Sequence, residues 1–183
     1  SEAQRWSVPN EGVKSSLSMQ NDTLRIENPG QSVLIEKSVS DLVPASNILL
    51  ATRVKLDEGA KGLRMGISTG KNTDASERTV DFSLEEGKAT LGGESFSLDT
   101  KEFHTYTLRK TADTVTLDID GVEHLQGSYA NDFTSDTNLK RGLFVESLCT
   151  DGCTLKANID YMRFERNPVL ALSNTPTLAV SGA

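Results

Sequence analysis

The stretch "EFHTYTLRKTADTVTLDIDGVEHLQG", residues 102–127, decides the class of fold. It holds two runs in which apolar and polar residues alternate, Phe103 to Lys110 and Thr114 to Ile119, and a turn signal follows each. A period of two sends successive side chains to opposite faces of an extended strand. Asp120-Gly121 is a strong hairpin signal, because the tight turn needs a positive φ at both central residues. The segment reads as an antiparallel ribbon.

The same period continues outward. "NILLATRVKLD" (47–57) puts Ile48, Leu50, Val54 and Leu56 on one face. "GLRMGIST" (62–69) sends Leu63, Met65 and Ile67 one way, and "RTVDFSLE" (78–85) does so with Val80, Phe82 and Leu84. Further strands read at "SLSMQ", "TLRIEN", "QSVLIEK", "KATLG", "ESFSLD", "RGLFVESL" and "TLKANIDYMRFER". Gly, Asn, Asp and Pro signals separate about twelve or thirteen of them. No ten-residue stretch carries a helical stripe, although "VSDLVPA" or "YANDF" suits a single turn of helix. The expected fold is all-β: two antiparallel sheets packed face to face, with their outer faces in water. One sandwich domain is expected over residues 1–166. The uncharged "NPVLALSNTPTLAVSGA" (167–183) reads as a linker or C-terminal tail.

Lys plus Arg number 19 and Asp plus Glu 26, for a net charge of −7. Without concentrated positive charge, nucleic acid and anionic membrane are poor partners. No apolar run approaches the ~18 residues of a spanning helix, so membrane insertion is not expected either. A monomer is expected. Cys149 and Cys153 bracket "TDG". They read as a disulfide pinning one turn in an exported protein, or as two free buried thiols in a cytosolic one.

The order of ribbons resembles the concanavalin A-like lectin/glucanase superfamily, especially laminin-G-like bacterial modules. Three segments carry the resemblance: "ILLATRVKLD" followed by "VDFSLEEGKATL", then "EFHTYTLRKTADTVTLDIDGVEH", and finally "RGLFVESL" with "ANIDYMRFER". Phe103 stands where that family often has Trp. The resemblance implies a curved jelly-roll sandwich whose sheet or edge loops bind carbohydrate. It also implies that Asp160, with oxygens from Trp6–Asn10 and Gln20–Asp22, holds a structural calcium, a hard cation suited to oxygen ligands. The plainer reading of Asp160 is a hydrogen bond to a neighbouring loop.

Glucanases of that superfamily carry spaced acidic residues on one strand, and Asp118, Asp120 and Glu123 imitate the spacing. The Asp120-Gly121 turn instead throws Glu123 onto the return strand, so the triplet reads as solvated turn and edge charge. His104 shares a face with Tyr106 and reads as packed and hydrogen-bonded, while His124 is expected exposed. Neither nucleophile-elbow nor zinc-protease spacing occurs. No catalytic residue is assigned.

The strongest candidate site is a polar sheet face. Arg53, Lys55, Arg64, Thr79, Asp81 and Ser83 lie opposite the apolar sides of three successive strands. If those strands are neighbours, the six form a ridge that bonds sugar hydroxyls or carboxylates; otherwise they are solvated. Tyr129 is the expected exposed stacking residue, and Trp6 is expected to pack the terminal strand. The leading expectation is a non-catalytic, lectin-like module of a secreted, periplasmic or cell-surface protein, with a polysaccharide or glycan as partner. The alternatives are a glycan hydrolase or lyase of the same fold, and a protein-interaction or adhesion module.

Overall fold

The computed structural model describes residues 6–9, 17–27, 31–58, 62–71, 74–148 and 154–167. Cys149, Cys153 and the tail from residue 168 lie outside the described residues, and with them the disulfide and linker expectations.

Alternation becomes strand throughout. The elements are β1 (Leu17–Gln20), β2 (Thr23–Glu27), β3 (Leu34–Ser38), β4 (Ile48–Glu58), β5 (Leu63–Ser68), β6 (Thr79–Glu85) and β7 (Lys88–Leu91). They continue as β8 (Glu94–Ser97), β9 (His104–Thr111), β10 (Thr114–Ile119), β11 (Val122–Ser128), one helical turn α1 (Tyr129–Asp132), β12 (Gly142–Ser147) and β13 (Lys156–Arg166). The helical turn falls within the "YANDF" expected to hold one, its Ser128 side chain accepting from the Asn131 N–H as an N-cap. Asp120 (φ 52) and Gly121 (φ 84) make the expected left-handed hairpin between β10 and β11. Asn21 (φ 50) and Asp22 (φ 61) make another between β1 and β2.

The strands form two antiparallel sheets. A seven-stranded sheet has the order β1-β2-β13-β4-β9-β10-β11, and a six-stranded one the order β3-β12-β5-β6-β7-β8. Their inner faces supply the core, including Leu50, Val54, Leu63, Met65, Phe82, Tyr106, Leu108 and Leu117, each at most 1% exposed. Burial on this scale is the main stabilising term, at roughly 25 cal/mol per Å² of apolar surface. At one edge the Phe96 and His124 rings stack, with centroids 3.9 Å apart, and join the two sheets. At the opposite edge Ser7 bridges to Glu36, and Trp6 packs on the core as expected.

Candidate functional site

The outward face of the six-stranded sheet carries a continuous row of polar residues. Register places Glu146 of β12 beside Arg64 of β5, and Arg64 beside Ser83 of β6. Ser83 stands beside Thr90 of β7, and Thr90 beside Ser95 of β8, to which its hydroxyl is bonded at 2.9 Å. At strand spacing the five residues span about 19 Å. The next row holds Phe144, Gly66 and Asp81.

The segment from Phe133 to Arg141 folds over one end of this face. Thr79 N–H donates to the Thr134 carbonyl, Asp136 N–H to Thr79 Oγ1, and Lys140 N–H to Glu36 Oε1. Between this loop and the strands lies a cleft of about 300 Å³ lined by Arg64, Thr79, Asp81, Ser135 and Asp136 among others. The Ser135 hydroxyl is shielded and has no hydrogen-bond partner among the described residues.

Arg64 organises the cleft. Its Nε donates to Asp81 Oδ2 at 3.0 Å, and its Nη1 to Glu146 Oε2 at 2.8 Å and Asp136 Oδ2 at 3.1 Å. All four side chains remain between 20% and 27% exposed, so the group is reachable from solvent. The guanidinium lies over the buried Phe144 ring, 5.0 Å from its centroid. Burial weakens the guanidinium's hold on its proton, but the surrounding carboxylates outweigh that and raise its pKa. The Asp81 carboxyl sits above the usual carboxylate range, pushed first by burial, against the pull of Arg64 and with Glu146 and Asp136 adding repulsion.

The expected polar ridge is thus corrected. Arg64, Thr79, Asp81 and Ser83 share the face described above, but Arg53 and Lys55 do not. They belong to β4, which pairs with β13 and β9 in the other sheet and faces the opposite side of the sandwich. There they lie over the Phe103 ring, at 4.5 and 5.4 Å, with Arg53 bound to Asp160 and Lys55 to Asp57. Thr79 is buried by its bonds to the loop.

Tyr129 is no exposed platform. It is 7% exposed, its hydroxyl bonds to Thr69 Oγ1 and the Ser76 carbonyl, both at 2.9 Å, and Lys110 Nζ covers its ring. Of the acidic triplet, Asp120 and Glu123 are exposed at the turn as expected, but Asp118 is not. Asp118 is buried against Arg109, and Asp120 accepts from Thr105 N–H and bonds His104. They form no shared acidic site. His104 is packed and hydrogen-bonded as its place on β9 suggested, while the His124 side chain is exposed at the sheet edge.

Trp6, Asp22 and Asp160, which the resemblance linked to a calcium, do line one slot of about 340 Å³, although it is largely apolar, with Leu17, Met19 and Ile35 among its walls. The Asp160 carboxylate bonds Arg53 Nη1 at 2.6 Å, and among the described residues no three acidic, His or Cys side chains cluster as metal ligands. Asn10 lies outside the described residues.

The arrangement of sheets matches solved structures. One is the alginate lyase A1-II′ of polysaccharide lyase family 7, with TM-score 0.61, 8% identity and 85% of each chain covered. The jelly roll is shown. A second is the carbohydrate esterase vb_24B_21 of the Shiga toxin-encoding bacteriophage phi24B, with TM-score 0.62, 14% identity, and 89% of this chain and 90% of that one covered. A third is the carbohydrate-binding module CBM66 of Bacillus subtilis, with TM-score 0.52, 13% identity, and 87% and 94% covered. At such identities the likeness establishes the two-sheet, concanavalin A-like architecture and no activity. No protein-family model and no curated protein matches the sequence.

Asp136 and Glu146 were missed by sequence reading. Glu146 was within reach of it, since alternation sets it opposite Leu143 and Val145 on the polar face. Asp136 carries no such signal, because its loop has no period.

Proposed function

We propose that this jelly roll is a non-catalytic module that binds an uncharged stretch of glycan along the row of Glu146, Arg64, Ser83, Thr90 and Ser95. The observation that carries the reading is the Arg64 guanidinium held among three carboxylates in an open cleft, beside a strip of small hydroxyl side chains. Carboxylate and guanidinium groups fixed by one another offer preorganised acceptors and donors to sugar hydroxyls. Three carboxylates around one cation leave the lining net negative, which disfavours a uronate at this point. The small hydroxyls let an extended chain lie against the sheet. The polysaccharide-related names of the three matched structures agree with this reading. A module of this kind works where polysaccharide is found, at the cell surface or beyond it.

A carboxyl group bound to a guanidinium neither attacks a sugar carbon nor protonates a leaving oxygen readily, which favours binding over hydrolysis. A hydrolase would need one carboxyl released from Arg64, and Asp81, whose pKa burial raises against the pull of that guanidinium, is the one to test.

A calorimetric screen of neutral and uronate-containing oligosaccharides, with parallel assays of product release, separates the readings. The module reading expects binding of a neutral chain, no products, and a loss of about tenfold or more on Asp136→Ala. Product release abolished by Asp81→Asn would replace it with the hydrolase. Binding unaffected by Asp136→Ala and Glu146→Gln would remove this face from consideration. Running the panel with calcium and then with a chelator also tests the Asp160 expectation.

A further inference from the structure

Beyond the loop from the Arg64 cleft lies a second hollow, of about 380 Å³, lined by Ser38, Gly70, Lys71, Lys140 and Arg141. In a chain of net charge −7, three cations converge here. Lys71 follows β5, while Lys140 and Arg141 close the loop before β12.

Two buried carboxylates are committed beneath them. Glu77, 2% exposed, holds Arg141 Nη2 at 2.6 Å, and Arg141 Nη1 donates to the Ser40 carbonyl at 3.4 Å. Glu36 accepts the Lys140 backbone N–H at 3.1 Å. The Lys140 ammonium stays 3.8 Å from Glu36, too far for a hydrogen bond, with more than half of the side chain in solvent. Lys71 is exposed and makes no ion pair among the described residues. Arg141 is therefore fixed in the wall, and the two lysine ammonium groups keep free donors.

We infer that this hollow is an oxyanion subsite taking a sulfate ester or carboxylate group on the same glycan whose uncharged part lies in the Arg64 cleft, an inference that rests on the binding reading above. Asp136 lines the cleft and Lys140 the hollow, across a turn closed by Leu139 N–H donating to the Asp136 carbonyl at 3.3 Å. Four residues of chain set their backbones at most about 14 Å apart, so one oligosaccharide reaches both. Ammonium groups bind such oxygens through charge-assisted bonds that salt screens. The selectivity is positional: the Arg64 cleft disfavours a negative group, and the lysines favour one a short distance away.

The experiment compares one neutral oligosaccharide backbone in unsubstituted, sulfated and uronate-bearing forms. Each is titrated into the wild-type protein and the Lys71→Ala/Lys140→Ala double variant at low and high salt. An anionic form should bind about tenfold tighter at low salt, with the advantage lost at high salt and in the double variant. The unsubstituted form should bind both proteins equally. The arm that gains, sulfated or uronate-bearing, identifies the oxyanion. Equal affinity of all three forms for both proteins would overturn the proposal. Inorganic sulfate, followed by amide NMR, keeps this test apart from the glycan reading. Saturable shifts at Lys71, Lys140 and Arg141 support the subsite even if every glycan fails. A protein indifferent to sulfate as well as to the anionic sugars has no such subsite.

Discussion

Arg64 answers three carboxylates at once, so its removal leaves like charges facing one another across a half-shielded cleft. Arg64→Ala should cost about 1–3 kcal/mol near neutral pH, less than for a fully buried network because every member meets solvent. The deficit should shrink as pH falls and the Asp81 carboxyl, whose pKa burial raises, takes up its proton, which urea denaturation at two pH values would show. His104 behaves in the opposite sense. Its Nδ1 lies 2.6 Å from Asp120 Oδ2 and its Nε2 2.9 Å from the Asp99 carbonyl, and only an imidazolium donates on both sides. Burial pulls the imidazole pKa down, but the bonds to Asp120 and the Asp99 carbonyl outweigh it and leave the value raised. A raised folded-state pKa contributes stability in full below the unfolded value of about 6.5, and that stability is lost as pH rises through the folded value. His104→Gln should therefore lower the melting temperature clearly at about pH 5.5 and little at about pH 8.5. An equal drop at both would contradict the imidazolium assignment.

Among the elements, alternation foretold most strands, because inward and outward faces are local properties of a ribbon. Sheet membership is not local. β4 and β5 follow one another along the chain, yet β4 pairs with β13 and β9 while β5 pairs with β12 and β6. The same alternating pattern serves a hairpin and a crossing between sheets, which is why Arg53 and Lys55 read as companions of Arg64 and are not. Tyr129 turned inward for a similar reason: Thr69, Ser76 and Lys110, which enclose it, come from other parts of the chain. Gly66 shows how closely β5 and β6 approach under the cleft. A Cβ there would stand 2.2 Å from the Val80 carbonyl oxygen and 2.7 Å from Asp81 Cα, both backbone atoms. Gly66→Ala should cost about 2 kcal/mol in chemical denaturation and shift Asp81 relative to Arg64, weakening any ligand of the cleft. Full retention of both stability and binding would show that the two strands separate freely.

At the scale of the whole molecule, the pairings that join the local hairpins into sheets link partners distant in sequence. β2 meets β13, with Leu24 opposite Ile159, and β3 meets β12, with Ile35 opposite Val145. Such topologies fold in milliseconds to seconds rather than microseconds, a range stopped-flow refolding would resolve. β13 lies between β2 and β4, so the β1–β2 hairpin reaches the rest of its sheet only through the last strand described. On a ribosome adding roughly 5–20 residues per second, β2 waits on the order of ten seconds for the strand it must join. Once β9 has joined it, β4 presents one side of unpaired amides and carbonyls to its surroundings until β13 emerges. A chain stopped short of Lys156 would keep that edge permanently, and would recruit other chains where the full-length protein recruits itself.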